Sequence, residues 1–446
     1  MVSIFILFTR HASGARLATL AAVALKLAPA GQILVERNYT KLGLLPWFGH
    51  FIACVRYNHI MKQVYDVMIL GAGASGLMCA GWLCRHTELK IGVIDGNARA
   101  GAKLKISGGG KCNITNVDVQ SHHYFGDPGL VEAVLDAFSK EDLLHFLEKR
   151  GLFPVIRKGR YYFCEQSSEE IIALLLSECE GAEFFYGRTI VSVEHDGRFC
   201  VTTEKGKLYA KRVVVATGGI SYQSVGATDV GLRIAMHFGH KVVPFAPALA
   251  GLTLQNEQFW MKELTGISFP VRIEAAGRTI DEEMLFAHRG ISGPAVLSAS
   301  LYWHKGTIAI DFAPGIDIVE LCSESKKLVS TAMGLPKRFC KLFLEHIGVE
   351  DKPCRQLSHA EREKVSRLHR YEFAPAGTFG FTKAEVSKGG VDTDELNHYT
   401  MESLLQEGLY FIGEVTDVTG ELGGYNFQWA FSSAVVAARS LAAESE

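Results

Sequence analysis

The sequence predicts an α/β protein. Its body is a mostly parallel nucleotide-binding sheet, interrupted by a β-rich insertion and a small helical subdomain. Three observations predict this. A strand, a glycine turn, a helix, a second strand and an acid follow one another over residues 65–95. An apolar strand, Arg212–Ala216, ends in Thr217-Gly218-Gly219. A third apolar strand, Leu409–Ile412, ends in Gly413-Glu414. Strands of one sheet thus lie on both sides of a long middle segment, so the domain is split.

The first run is the most informative. Tyr65–Leu70 enters Gly71-Ala72-Gly73-Ala74-Ser75-Gly76 and leaves into Leu77-Met78-Cys79-Ala80. Gly71 permits the tight turn, Gly73 lets backbone approach a pyrophosphate, and Gly76 lets helix and strand pack closely. Ser75 lies in the same turn, and the helix N-terminus offers free N–H groups to phosphates. Asp95 ends Ile91–Ile94, 95 − 76 = 19 residues past the last glycine, where an acid accepts hydrogen bonds from ribose hydroxyls.

The next elements follow from pattern. Ser107–Asn116 is a glycine-rich loop, SGGGKCNITN. Amphipathic helices are expected near Pro128–Arg150 and Ser168–Glu180, and short alternating strands over 183–216. Residues 245–320 read as strand-rich, with Pro247 and Pro270 as breaks. Residues 321–379 read as helical. Between Lys326 and Arg370 there are 11 Lys/Arg against 5 acids, a balance of 11 − 5 = +6. From 380 the chain returns to the nucleotide domain, and Gly423-Gly424-Tyr425-Asn426 opens a last helix to about Ala443. The expected divisions are 1–60, an extension outside the fold; 61–244, the first part of the nucleotide domain; 245–320; 321–379; and 380–446, its second part.

Composition sets limits. The 446 residues suffice for two or three domains, and 48% hydrophobic content with 45 glycines suits a large α/β enzyme. A net charge of −2 argues against a wholly nucleic-acid-binding surface. Ten scattered cysteines show neither disulfide-framework nor zinc spacing, so reduced thiols in a cytoplasmic protein and no metal are expected. No apolar run reaches the ~20 residues of a spanning helix. Residues 1–60 carry six basic residues and one acid, Glu36. Ala28-Pro29-Ala30 resembles a cleavage site, but Met61, just before the first strand, favours a translated upstream stretch or a dispensable extension.

Four motifs in order resemble the BaiN/YhiN-like FAD-dependent oxidoreductases: Ser107–Asn116, Phe286–Pro294 (FAHRGISGP), Thr400–Ser403 and Gly413–Ala430 (GEVTDVTGELGGYNFQWA). The resemblance covers about 61–446. It implies a split Rossmann-like FAD-binding domain of the two-domain flavoprotein type. It also implies activity on conjugated enones or on small amines such as aminoacetone. FAD contacts carry over to Lys103, Ser107, Gly108, Gly109, Lys111, Cys112, Asn113, Thr217, Gly218, Gly413, Glu414, Asp417, Gly423, Gly424, Tyr425 and Asn426. Lys111 stands where arginine is more usual, Cys164 where proline is, and Gly226-Ala227-Thr228-Asp229 where Gly-Ser-Thr-Gly-Asp is common.

Three residues are candidates for catalysis. Lys111 and the N-terminus of the last helix are placed to stabilise negative charge on a reduced flavin. His288 is a candidate proton donor, as is Tyr222 after the Gly218-Gly219 bend. Cys112 reads as a small packed residue, since no other cysteine follows within fifty positions. The expected partners are a small substrate with NAD(P)H or O2, and nucleic acid is not favoured. Without a second glycine fingerprint, NAD(P)H must dock transiently. Enone reduction by NAD(P)H is the first reading, an aminoacetone-type oxidase the second. An RNA-binding or RNA-modifying flavoprotein, contacting RNA through 326–370, is the third; the bland account of that segment is a solvated face.

Overall fold

The computed structural model describes residues 63–317, 320 and 325–444, together with three N-terminal strands. Two compact units separate, Met1–Ile60 and Met61–Glu446. In the first, Ser3–Thr9, Ala18–Leu27 and Ile33–Glu36 form an antiparallel sheet in chain order. The cleavage-site and Met61 readings lie outside the described residues.

The second unit is built on a seven-stranded sheet in the order 183–186, 91–95, 64–70, 206–215, 199–203, 190–195. Leu409–Phe411 adds parallel to Val213–Val215, which also pair parallel with Met68–Leu70. Parallel strands are covered on both faces, so they read as continuous apolar runs. Val67–Leu70 and Val213–Val215 are accordingly wholly buried. The strand ends at Leu70, Asp95, Val215 and Phe411 share one edge of the sheet, the edge where open α/β folds bind ligands.

The helix Ala74–His86 packs against the last helix, Tyr425–Ala443. The expected helix over Pro128–Arg150 is in fact two, Pro128–Ala137 and Lys140–Glu148. The break has a local cause. Ser139 Oγ accepts from the Asp142 N–H at 3.1 Å, and Asp142 Oδ2 accepts from the Ser139 N–H at 2.9 Å. This capping box starts a new helix and stabilises it by about 1 kcal/mol.

The chain leaves this core and returns by one antiparallel ribbon, Val242–Ala248 against Val386–Val391. Between them lies an antiparallel sheet ordered 371–373, 308–311, 268–275, 278–287, 290–292, 252–253, 377–378. The helices Pro294–Tyr302, Lys337–Ile347 and His359–Ser366 accompany it. Tyr371–Phe373, within the segment expected to be helical, is a strand of this sheet. Phe269, Phe286, Phe312, Phe339, Phe343 and Tyr371 form one aromatic core across sheet and helix.

Candidate active site

A cavity of about 710 Å³ runs along the ligand-binding edge of the sheet. That is the size of a cofactor site. At one end lie Gly71, Gly73, Ser75 and Asp95. Each glycine has a different reason. Gly71 has φ +113°, and a Cβ there would sit 2.3 Å from the Ala216 carbonyl oxygen. A Cβ on Gly76 would sit 1.9 Å from the Gly71 carbonyl oxygen, so this glycine closes the helix onto the turn. A Cβ on Gly73 would meet nothing within 4 Å. Its bare backbone faces open cavity, the cradle a pyrophosphate needs. Asp95 holds the turn: Oδ2 accepts from the Ala72 N–H and Oδ1 from the Asn97 N–H, each at 2.7 Å.

The floor joins four loops. Lys103 Nζ meets Glu414 Oε2 at 2.6 Å, and Glu414 Oε1 accepts from the Ser387 N–H at 2.8 Å. Ser387 Oγ accepts in turn from the Ile220 and Ser221 N–H groups at 3.0 and 2.9 Å. Thr217 lines the cavity with a buried Oγ1 that has no hydrogen-bond partner.

Toward the far end, two motifs distant in sequence meet. Thr115 Oγ1 donates to Gln428 Oε1 at 2.6 Å, and Asn116 Nδ2 donates to the Gly423 carbonyl at 3.0 Å. A Cβ on Gly424 would meet Thr115 backbone at 2.6 Å, so only glycine fits between strand and helix. Gly423, Gly424 and Asn426 thereby bring the N-terminus of the 19-residue last helix to the cavity. Asn426 is fixed by Gly420, whose N–H it accepts at 2.9 Å and whose carbonyl it donates to at 2.8 Å.

Residues 65–440 match the family described as HI0933-like protein Rossmann domain. The chain belongs to this family. It is 37% identical over 399 residues to the ribosomal RNA dihydrouridine synthase of Haemophilus influenzae, covering 85% of this chain and 99% of that protein. It is 36% identical to the Escherichia coli protein of the same name, over 85% of this chain and 98% of that one. It is 28% identical to the 3-dehydro-bile acid delta(4,6)-reductase of Clostridium scindens, over 84% and 98%. As an HI0933-like protein it is an FAD-dependent oxidoreductase. The cradle at Gly73, the acid at Asp95 and the unpaired Thr217 hydroxyl fit that cofactor.

The expected site residues do not all reach the cavity. Gly71, Gly73, Ser75, Asp95, Lys103, Ser107, Gly108, Gly109, Asn113, Thr217, Gly218, Glu414, Gly423, Gly424 and Asn426 line it, with Tyr222. Gly76 is behind the turn. Gly413 is buried against Ser75, 2.7 Å from Ser75 Oγ to where a Cβ would stand. Asp417 Oδ1 is buried without a partner, and burial, then the Asp392 charge, raises its carboxyl. Tyr425 is buried, its ring stacked on His123 at 4.7 Å.

His288 does not line this cavity; it sits exposed in the two-residue turn between Arg278–Ala287 and Gly290–Ser292. Lys111 also falls outside the lining; its carbonyl accepts from the Cys164 N–H at 3.1 Å. Cys112 is wholly buried, with φ +45°. The fold sets Cys164, 52 positions on, across from it: the Cys164 N–H lies 3.4 Å from the Cys112 carbonyl. Burial pushes the Cys112 thiol up to about 12 and the Cys164 thiol to about 11, so both stay protonated and are poor nucleophiles.

Sequence reasoning missed the hairpin Val155–Phe163, which brings Arg157, Lys158, Tyr161 and Phe163 to the cavity. A signal existed: Arg157-Lys158-Gly159-Arg160 between two apolar runs is a charged hairpin turn. It also missed Glu421, which lines the cavity and accepts from Tyr302 Oη at 2.5 Å. Glu385 is exposed to the cavity but flanked by protein, and that partial burial raises its carboxyl. The basic residues of 326–370 do not line the cavity. Several are engaged locally, as in Lys352–Glu361 at 2.7 Å and Arg370–Glu274 at 2.7 Å.

No helix among the described residues is long and apolar enough to cross a membrane.

Proposed function

We propose that this protein reduces a C=C bond conjugated to a carbonyl, and that the substrate is a uracil base in ribosomal RNA. The observation that carries the reading is one cavity joining a dinucleotide cradle to a mouth edged by Arg157, Lys158, Tyr161 and Phe163. Cations beside aromatic rings suit a substrate that is both base and polyanion. The relatives support the same chemistry from two directions. Uracil C5=C6 is conjugated to the C4 carbonyl, and the name of the bile-acid reductase describes a double bond conjugated to a 3-keto group. The enone and RNA readings of the sequence therefore describe one reaction on two scaffolds.

The balance is simple. NAD(P)H and a proton are consumed, the β carbon gains hydride, the α carbon gains the proton, and NAD(P)⁺ leaves. FAD held in this cavity would supply the hydride-transfer chemistry. The residues of the chain do the rest. Gly73 and the first helix would hold the pyrophosphate, and Asp95, which also fixes the turn, would face the ribose. The N-terminus of Tyr425–Ala443 supplies a partial positive charge where negative charge collects. Tyr161 and Tyr222 line the cavity, and burial raises both phenols, so each carries its proton at neutral pH. Either phenol is a proton source for the α carbon.

The test uses purified holoprotein with NADPH or NADH and unmodified ribosomal RNA transcribed in vitro. The expected product is a uracil carrying two added hydrogens, read by mass spectrometry of nucleosides, with bleaching of the yellow colour under anaerobic conditions. Unchanged RNA, no bleaching by either nucleotide, and oxygen uptake with small amines would overturn the reading in favour of an amine oxidase.

A further inference from the structure

We propose that the hairpin Val155–Phe163 grips the RNA phosphates next to the base that enters the cavity. This rests on the RNA reading above. The hairpin pairs Val155 with Phe163 and Arg157 with Tyr161. Its turn, Arg157-Lys158-Gly159-Arg160, carries three cations in four residues, of which Arg157 and Lys158 line the cavity and Arg160 is paired with Glu282.

The turn itself is unusual. Lys158 has φ +49° and Gly159 φ +71°, and the Arg160 N–H bonds the Arg157 carbonyl at 3.1 Å. Positive φ at both central positions makes this a primed turn, where asparagine or glycine is favoured first. A lysine there costs on the order of 1 kcal/mol. A strained residue kept at a functional mouth points to what its side chain does. Here the lysine adds a cation that is 62% exposed.

The neighbours fit a polyanion. The Arg157 guanidinium lies 5.3 Å from the Phe163 ring centroid and that of Arg160 4.8 Å from Tyr161. Both planes are held by aromatic faces. Two acids from the inserted module face the turn. Arg160 pairs with Glu282, and Lys158 lies 3.8 Å from Glu283. The Lys158 pair is long and exposed, so it is worth no more than about 1 kcal/mol. A phosphate displaces Glu283 at little cost. Outside the mouth, Val155–Arg157 is the edge of its three-stranded sheet, and Phe153 and Ile156 stand 66% and 52% exposed. Neither lines the cavity. Apolar faces beside cations thus continue beyond it, as a strand of stacked nucleotides needs and a compact dinucleotide does not.

The strained lysine gives a test in which stability and binding move oppositely. Lys158→Asn suits the turn, so the variant should melt no lower than the parent and keep its FAD. Its affinity for unmodified ribosomal RNA should fall about five- to tenfold at physiological salt, and its salt slope should shrink by about one. Arg157→Gln added to it should lower the affinity further. Wild-type affinity and slope in the double variant, while the parent still modifies RNA, would overturn the proposal and leave the RNA reading intact. A raised KM for NADPH with unchanged RNA affinity would also overturn it, assigning the hairpin to the electron donor. If the parent modifies no RNA, the reading and the proposal fall together.

Discussion

The two ends of the cavity are built differently. The nucleotide end is made of backbone: Gly71, Gly73 and Gly76 act by lacking a Cβ, and Asp95 acts mainly by holding the turn. The mouth is edged by long side chains from distant segments, Arg157, Lys158, Tyr161 and Glu421, held from behind by Glu283 facing Lys158 and Tyr302 bonded to Glu421. The difference shows where each end is free to change. A glycine cradle has one solution and binds one kind of group. A rim of side chains can be rewritten without touching the sheet.

The three glycines give the largest expected effect. Gly71→Ala and Gly76→Ala push a methyl into backbone 2.3 and 1.9 Å away. Neither contact is relieved by a rotamer, so each should cost at least about 3 kcal/mol and yield little folded protein. Gly73→Val meets no protein atom at its Cβ within 4 Å. It should fold with a near-parental circular dichroism spectrum but purify colourless. If Gly73→Val retains full FAD, the pyrophosphate is not at this turn. If Gly76→Ala folds normally, the tight closure of helix on turn is wrong.

Moving along the floor, the effect should be smaller. Lys103 and Glu414 tie residues far apart in sequence at 2.6 Å, with both side chains partly shielded. Lys103→Met leaves Glu414 with only the Ser387 N–H. The loss should be roughly 1–3 kcal/mol in urea unfolding, with faster FAD release. Glu414→Gln keeps an acceptor for Ser387 and should lose less. Equal losses would mean that charge, not the Ser387 bond, holds the floor.

What the sequence disclosed follows the same division. Backbone-built features announce themselves, because only glycine and a few spacings satisfy them. Gly71 to Asp95, Thr217-Gly218 and Gly423-Gly424 were legible for that reason. Side-chain constellations did not announce themselves. His288 stood in a family-like motif, yet that motif makes a hairpin whose turn does not line the cavity. Tyr161 and Glu421 carried no spacing that joined them to the site. The +6 balance of 326–370 stood out in the sequence, whereas Arg157 and Lys158, which line the cavity, did not. Net charge over a segment says nothing about which face it occupies. The break at Ser139 was legible in principle, since Ser139 and Asp142 spell a capping box inside the amphipathic run.

The smallest effect is electrical and lies at Lys388 and His304, outside the cavity lining. Lys388 is buried, its Nζ donating to the Leu301 carbonyl at 2.9 Å and lying 3.5 Å from His304 Nδ1. The Lys388 cation, and secondarily burial, lowers the pKa of His304 below its ordinary 6.5. A histidine whose folded value is lowered keeps its full contribution above about pH 6.5 and loses it as pH falls. Lys388→Met removes the neighbouring charge, so the His304 imidazole should titrate closer to 6.5 by NMR, assigned with His304→Gln. The slope of stability against pH below 6.5 should flatten with it. An unmoved His304 would mean that Lys388 carries no charge in the folded protein; burial does lower the Lys388 pKa from its ordinary value. The titration therefore distinguishes a charged Lys388 from one that burial has discharged.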